Sequence, residues 1–447
     1  MIKERVKSII LVILVIFTLV LAERILVDKK LWPTGYNFFS IGRNSGRTSG
    51  SVSDALILPE RIIVNTGYQS SRFEYLRTSE DFDEIHDVAS GILKTAFKEA
   101  SKNISQVPSD NWYSALTSKS IYLSYPGSFS AQNFAGLMGI KKTEAAFNSF
   151  SDIVIGETGN VYINDNGVFY RIEISSGEIS SLIEKILHKN EELQSVINYS
   201  FDLNFDTEFG SQKTILSPMI PIYFDTVEAD ELTSENPLFK DGEIDQRAVN
   251  ALLTAFSVNP NSTWRYTEAD GTVVFVENTG VLKISPNGIL SFTASDSGLS
   301  ISSQISANSY ETASGVASFI DTINTATNQN AQLSLTSPLL ETATEQFTFD
   351  YNVNGIPVKY ADKNAVSVTV KGGYITEYSQ VLRRYTPNGA RASLPLYFEA
   401  LDQVIAEYQG SMNQINIKKM FPAYIDNLAD TNIMPDWYIE IDNVIAE

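Results

Sequence analysis

The chain has 447 residues, of which 43% are hydrophobic and 11% aromatic, and this length and composition suit about two to four folded domains. Its formal net charge of −20 argues against a nucleic-acid partner, because nucleic-acid binding requires clustered lysine and arginine residues. The absence of cysteine excludes disulfides, thiol catalysis and cysteine-ligated metal sites.

An apolar segment lies close to the N-terminus. Residues 8–22 (SIILVILVIFTLVLA) carry no charge and are interrupted by one polar residue, Thr18. A helix that crosses a bilayer needs about 20 apolar residues, so this short segment leaves two interpretations open. In the first, the helix continues through Val27, flanking basic side chains reach the headgroups, and the segment remains as an anchor. In the second, residues 20–22 (VLA) form a cleavage site and the segment is removed.

We favour a single-pass anchor in the cell membrane, with the N-terminus cytoplasmic and the bulk extracytoplasmic. A lone N-terminal hydrophobic segment normally sends the following chain across the membrane. In lipid, helices associate through close packing and through hydrogen bonds from residues such as threonine, worth about 1 kcal/mol. One face of the predicted helix therefore holds the candidate partner contacts, which are Leu11, Leu14, Thr18, Leu21 and Ala22. The alternative is that Thr18 bonds back to the Leu14 carbonyl and faces lipid.

The rest of the sequence divides into a stalk and three candidate domains. Residues 1–28 are assigned to a cytoplasmic tip and the membrane helix, and the Gly/Ser-rich residues 29–53 to a flexible stalk. An acidic stretch at residues 225–237 (DTVEADELTSENP) interrupts the apolar periodicity, so we place a domain boundary there. The predicted domains are an N-terminal α+β domain, a middle α+β domain and a C-terminal α+β domain, at residues 54–230, 231–345 and 346–447.

Periodicity and turn signals predict an α+β fold. Apolar residues at helical spacing predict helices at about 79–100, 178–190, 244–257, 310–326 and 393–410. The pairs Asn166-Gly167 and Asn354-Gly355 are hairpin signals. The order hairpin, helix, strands recurs three times, which predicts three units, each an antiparallel sheet with a helix across one face.

Motifs for catalysis are scarce. The two histidines, His86 and His188, lie in predicted helices among charged residues and are interpreted as solvent-exposed. The S-x-x-K, G-x-S-x-G, Walker and dinucleotide patterns do not occur. Residues 162–173 have partial calcium-loop spacing, but Tyr162 occupies the first ligand position and the stretch reads as a hairpin. We therefore predict no enzyme activity, cofactor or metal.

Exposed aromatic side chains could stack on a glycan. The candidates are the pairs Trp112-Tyr113 and Trp437-Tyr438, although aromatic residues at strand and helix starts usually belong to the core. Glycoside hydrolysis requires only a pair of suitably placed carboxylates. With 53 acidic residues, the sequence does not exclude such a catalytic pair.

Four stretches together resemble the YycH family, the membrane-anchored regulatory proteins of the YycFG (WalRK) two-component system in low-GC Gram-positive bacteria. They are residues 1–15 (MIKERVKSIILVILV), 232–245 (LTSENPLFKDGEID), 264–284 and 349–358 (FDYNVNGIPV). The resemblance implies one N-terminal transmembrane helix, three extracytoplasmic domains and a C-terminal part that resembles the outer domain of YycI.

The resemblance also implies partners and a function. The expected partners are a sensor histidine kinase similar to YycG (WalK), which controls cell-wall metabolism, and a YycI-like companion, with contacts made largely through the membrane helices. The rival interpretation from the residues alone is a surface-anchored or secreted module that binds or hydrolyses cell-wall glycan. A third interpretation, secretion after cleavage, gives a new N-terminus at Glu23.

Overall fold

The computed structural model describes residues 56–442 except for residues 68–71, 146, 190–196, 204–205, 210–211, 241–242, 262, 296–297, 302–307, 340–343 and 409–413. The predicted membrane helix and stalk lie outside these residues. No helix within them has the length and hydropathy that membrane crossing requires. The described helices are α1 (Phe82–Asn103), α2 (Ser109–Thr117), α3 (Ala131–Leu137), α4 (Glu178–Lys189), α5 (Gln246–Ala255), α6 (Ser309–Thr327) and α7 (Tyr397–Glu407). All five helices predicted from periodicity are present, whereas α2 and α3 were not predicted.

The N-terminal part is built on a seven-stranded antiparallel sheet. Its strands are β1 (Arg61–Asn65), β2 (Arg72–Leu76), β3 (Ile104–Val107), β4 (Ser120–Phe129), β5 (Phe150–Gly156), β6 (Val161–Asp165) and β7 (Val168–Ile172). They are ordered β2-β1-β4-β5-β6-β7-β3. The predicted Asn166-Gly167 hairpin is confirmed: both residues have positive φ, 51° and 89°, as a two-residue turn of type I′ requires.

Both faces of this sheet are covered, because its strands carry apolar residues on alternate sides. Ile62 and Ile121 point to a core that also contains residues of α1, α3 and α4. Ile63 and Tyr122 point to the other side, where they meet Trp112 of α2. The sheet is therefore the middle layer of three.

The remaining strands follow residue 197. They are β8 (Asn198–Tyr199), β9 (Asp206–Phe209), β10 (Gln212–Leu216), β11 (Pro221–Ile222), β12 (Glu228–Glu235), β13 (Phe239–Lys240), β14 (Glu243–Ile244), β15 (Trp264–Thr267), β16 (Val273–Glu277), β17 (Gly280–Ile284), β18 (Ile289–Ala294), β19 (Leu299–Ser300), β20 (Gln332–Leu335), β21 (Thr344–Val353), β22 (Ile356–Lys359), β23 (Val366–Lys371), β24 (Tyr374–Val381), β25 (Arg384–Ser393), β26 (Gln414–Ile425), β27 (Asn432–Ile433) and β28 (Pro435–Asp442). In the described part of the chain, fourteen of them form one sheet with the main order β15-β16-β17-β18-β24-β23-β21-β22-β26-β10-β9.

The large sheet corrects the prediction of one sheet for each repeated unit. Strand β18 pairs with β24, so hydrogen bonds run without interruption from residues of the predicted middle domain to residues of the C-terminal one. Helices α5 and α6 cover one face, where Phe256, Phe319 and Tyr378 form edge-on ring contacts. Helix α6 lies between the strands β15–β19 and β20–β24 in the sequence, but it does not separate them into two sheets. The domain boundaries themselves stay predictions.

The acidic stretch at residues 225–237 has regular structure, and the domain boundary placed there stays a prediction. Most of it is strand β12, which pairs with β25 and β27 in a three-stranded sheet. Its charges have cross-strand partners: Arg384 lies 2.7 Å from Glu235 and Arg391 lies 3.4 Å from Glu228. An acidic run can form a strand when arginines stand on the strand beside it.

Contacts with the segment at the end of β20 and just after it hold the N-terminal part against the large sheet. The side-chain amide of Asn133 donates a hydrogen bond of 2.7 Å to the Leu339 carbonyl. A Cβ atom at Gly127 in β4 would lie 2.8 Å from the carbonyl oxygens of Leu335 and Ser337. The close approach of the two backbones therefore requires glycine at residue 127.

Replacing Gly127 by alanine should destabilise the protein by about 1–3 kcal/mol, because the new methyl group meets backbone atoms that cannot turn aside. Gly91→Ala is the matched control: it lies in α1 with open space around it and should stabilise by about 0.4–1 kcal/mol. Urea unfolding of the full-length protein measures both changes. Equal stability of Gly127→Ala and wild type would contradict the junction described above.

Candidate functional site

The membrane-helix residues singled out by the sequence, Leu11, Leu14, Thr18, Leu21 and Ala22, lie outside the described residues. Their proposed contacts therefore stay predictions. The other sequence candidates fall within the described part of the chain.

The interpretation of both histidines as exposed was wrong for His86. This side chain is only 7% exposed, and its ring stacks on Phe82 with a centroid distance of 6.1 Å. Its Nε2 atom lies 3.2 Å from the Ser90 hydroxyl. Phe82, His86 and Ser90 are four residues apart, so they share one face of α1. His188 is exposed, as expected.

The two tryptophans proposed as glycan contacts belong to cores. Trp112 is 1% exposed and Trp437 is 7% exposed. The indole of Trp437 donates a hydrogen bond of 2.8 Å to the Pro395 carbonyl and packs edge-on against Tyr397. Residues 162–173 form the hairpin of β6 and β7. Within the described residues, no group of three or more His, Asp or Glu side chains could hold a metal ion.

The large sheet has one apolar face and one open polar face. On the apolar face, a row of buried cross-strand neighbours packs against α5 and α6. The row crosses β16, β17, β18, β24, β23 and β21, and its members are Phe275, Leu282, Phe292, Tyr378, Val368 and Phe347. A row of cross-strand neighbours on the opposite face runs from β15 to β21, and most of its side chains are polar and half-exposed. Its members are Tyr266, Val274, Lys283, Ser291, Ser379, Ser367 and Thr348. We call this second side the open face.

Two aromatic side chains stand at the edge of the open face. Trp264 and Tyr266 are two residues apart in β15, the terminal strand. Residues at this spacing in a strand project to the same side of the sheet. Trp264 is 67% exposed and Tyr266 is 39% exposed. Their ring centroids are 5.2 Å apart and their planes are tilted by 43°. They form a ready-made aromatic platform that nothing in the described chain covers.

A recess of about 500 Å³ lies on the open face around Lys283, which is in register with Tyr266 two strands away. Its polar lining includes Glu268, Asp270, Thr272, Lys283, Asn287 and Ser291. Pro286 and Ile289 add a small apolar wall. The wall is fixed by the turn at Gly288, whose φ is 90° and whose carbonyl accepts a 2.7 Å hydrogen bond from the Leu382 amide.

The charges of the recess are partly paired. The ammonium group of Lys283 lies 2.9 Å from a Glu268 carboxylate oxygen, and this hydrogen bond raises the pKa of Lys283. Asp270 accepts hydrogen bonds from the amide and hydroxyl of Thr272, which lower the pKa of Asp270. The recess therefore contains two acidic side chains, Glu268 and Asp270, and one lysine, Lys283.

A second exposed patch is purely apolar. Phe224, Leu396 and Phe398 are 51%, 47% and 36% exposed, and the rings of Phe224 and Phe398 are 6.1 Å apart. The patch lies at the start of α7 and carries no charged group of its own. It offers packing area but no directional recognition.

The sequence contained part of the signal for the open face. The alternation after residue 264 and the Ala269-Asp270-Gly271 turn predict a strand and hairpin here. Periodicity does not distinguish a terminal strand from a central one, so the exposure of Trp264 was not predicted.

Comparison with known proteins concerns the fold. Neither a family model nor a curated protein matches the sequence. The crystal structure of YycH from Bacillus subtilis matches with a TM-score of 0.56 and 12% identity, covering 89% of this chain and 96% of that one. The chain has a YycH-like fold. An uncharacterized protein from Eubacterium rectale ATCC 33656 matches more weakly, with a TM-score of 0.34, 11% identity and coverage of 57% and 88%.

The YycH-like fold confirms the resemblance drawn from the four sequence stretches. It also fits the predicted α+β class, with antiparallel sheets and packed helices. At 12% identity the similarity shows a shared fold, and the function has to be proposed.

The two tryptophan environments give a direct stability test. Trp264→Ala should change the free energy of unfolding by less than about 0.5 kcal/mol, because the side chain is exposed at a sheet edge. Trp112→Ala, the matched control, should cost about 3–5 kcal/mol because it empties a buried site. Urea unfolding measures both, and a large loss in Trp264→Ala would show that this ring is packed rather than exposed.

Proposed function

We propose that the chain is a non-enzymatic regulator of a sensor histidine kinase that controls cell-wall metabolism. The observation that supports this proposal is the YycH-like fold over 89% of the chain. The protein is anchored in the cell membrane by one helix that includes residues 8–22 and continues through Val27, with the N-terminus cytoplasmic and residues 29–447 extracytoplasmic.

The proposed kinase contact is the helix face of Leu11, Leu14, Thr18, Leu21 and Ala22. A helix in lipid recognises another through close packing and hydrogen bonds from side chains such as Thr18. A regulator of this kind acts by binding one conformation of the kinase more tightly than the other. A difference of about 1.4 kcal/mol changes the ratio of the two conformations about tenfold.

The regulator acts together with a YycI-like companion. The sequence basis is residues 346–447, which resemble the outer domain of YycI. When two anchored proteins pair, the effective concentration of their helices beside the kinase rises. The complex with the kinase is then stronger, although neither helix makes an additional contact.

Crosslinking and affinity purification from membranes test the proposal. The native full-length chain should recover a histidine kinase, whereas a chain with an unrelated apolar helix at residues 8–22 should not. Thr18→Trp should reduce recovery because it obstructs the proposed face. Ile16→Trp is the matched control, since at 100° per residue it points to the opposite side and should leave recovery unchanged.

The outcomes separate the parts of the proposal. Equal recovery with the native and substitute helices would place the contact in the outer domains and overturn the assigned helix face. Recovery of no kinase with either chain, under conditions that recover the companion, would contradict kinase regulation itself.

A further inference from the structure

We propose that the aromatic platform and the recess of the open face bind a neutral oligosaccharide of N-acetylated amino sugars. This site is independent of the kinase contact, and it is formed by Trp264, Tyr266 and the polar groups around Lys283. The argument rests on the exposure of the rings, the size and lining of the recess, and its charge.

The exposed rings provide a stacking surface. A tryptophan ring that is 67% exposed presents a large apolar area to water, and such rings gain most from a ligand that is apolar on one side and wet on the other. A pyranose ring has this character, with C–H groups on its faces and hydroxyl groups around its rim. Trp264 and Tyr266 face the same side as the recess, so one ligand can touch both.

The recess supplies the polar half of the recognition. Its volume of about 500 Å³ lies within the range of small-molecule sites, about 300–1,000 Å³. Sugar hydroxyls both donate and accept, and the recess offers acceptors at Glu268 and Asp270 and donors at Lys283. The acetamido group fits the remaining wall, because Asn287 can bond its amide while Pro286 and Ile289 contact its methyl group.

Charge argues against an anionic polymer as the ligand. The recess contains two acidic side chains and one lysine, and the whole chain has a net charge of −20, so polyphosphates and uronic acid polymers would be repelled. Addition of a partner strand to the sheet edge is also disfavoured. Strand β15 has four residues, so an added strand would form few of the main-chain hydrogen bonds that give strand addition its affinity.

Calorimetry with a defined oligosaccharide tests the site. The full-length chain in phosphatidylcholine nanodiscs should bind the tetramer of β-1,4-linked N-acetylglucosamine with a Kd of about 1 mM or tighter. Cellotetraose, which lacks the acetamido groups, should bind more weakly. Trp264→Ala should weaken binding of the tetramer about tenfold, since truncation of an aromatic anchor commonly has that effect, and Trp264→Tyr should retain most of it.

Phe224→Ala is the control, because it removes an exposed ring from the separate apolar patch and should leave the Kd unchanged. The proposal is wrong if the wild-type chain binds neither oligosaccharide, or if Trp264→Ala binds the tetramer as tightly as wild type. It is also wrong if Trp264→Ala instead releases the companion protein from crosslinked complexes, since the open face would then be a protein-docking surface. Loss of sugar binding in Trp264→Ala with kinase recovery unchanged would leave the regulatory proposal intact.

Discussion

The large sheet depends on the pairing of one long strand, β26, with strands from distant parts of the sequence. It lies parallel to β10, where Ile417 is paired with Leu216, and parallel to β22, where Tyr424 is paired with Val358. Strand β28 pairs with it in antiparallel fashion. Parallel strands cannot be joined by a hairpin, so each of these pairs brings together residues that are far apart in the sequence. As a result, residues 206–216, which follow the N-terminal sheet, are tied to the C-terminal end of the chain.

Buried polar groups beside this strand strengthen the same junction. The carboxylate of Asp426, fully buried just after β26, lies 3.2 Å from the Arg383 guanidinium and accepts a 2.8 Å hydrogen bond from the Tyr385 hydroxyl. Tyr360 and Tyr385 share a 2.6 Å hydrogen bond, and burial raises the pKa of both phenols well above the ordinary value. Buried hydrogen bonds and an ion pair of this kind favour one arrangement of Arg383, Tyr385 and Asp426.

Local sequence signals predicted the local structure well. The Asn354-Gly355 hairpin is present with φ values of 52° and 83°, and every predicted helix has a counterpart. The failures involve partners that are remote in sequence. Strand β12 was read as an acidic break because its arginines lie about 150 residues away, and His86 was read as exposed because nothing local shows what packs on α1. The platform at Trp264 was missed for the same reason: its place at the sheet edge follows from the pairing of β18 with β24, about 90 residues later.

The proposed function makes this YycH-like fold part of a regulator that acts on a sensor histidine kinase. The most direct test is the autophosphorylation rate of a YycG-like kinase in lipid vesicles, with and without this chain. We expect the native full-length chain to change the rate at least about twofold, equivalent to about 0.4 kcal/mol, and the chain with a substitute helix at residues 8–22 to leave it unchanged. An unchanged rate with the native chain, in vesicles where crosslinking shows both proteins in contact, would contradict the account.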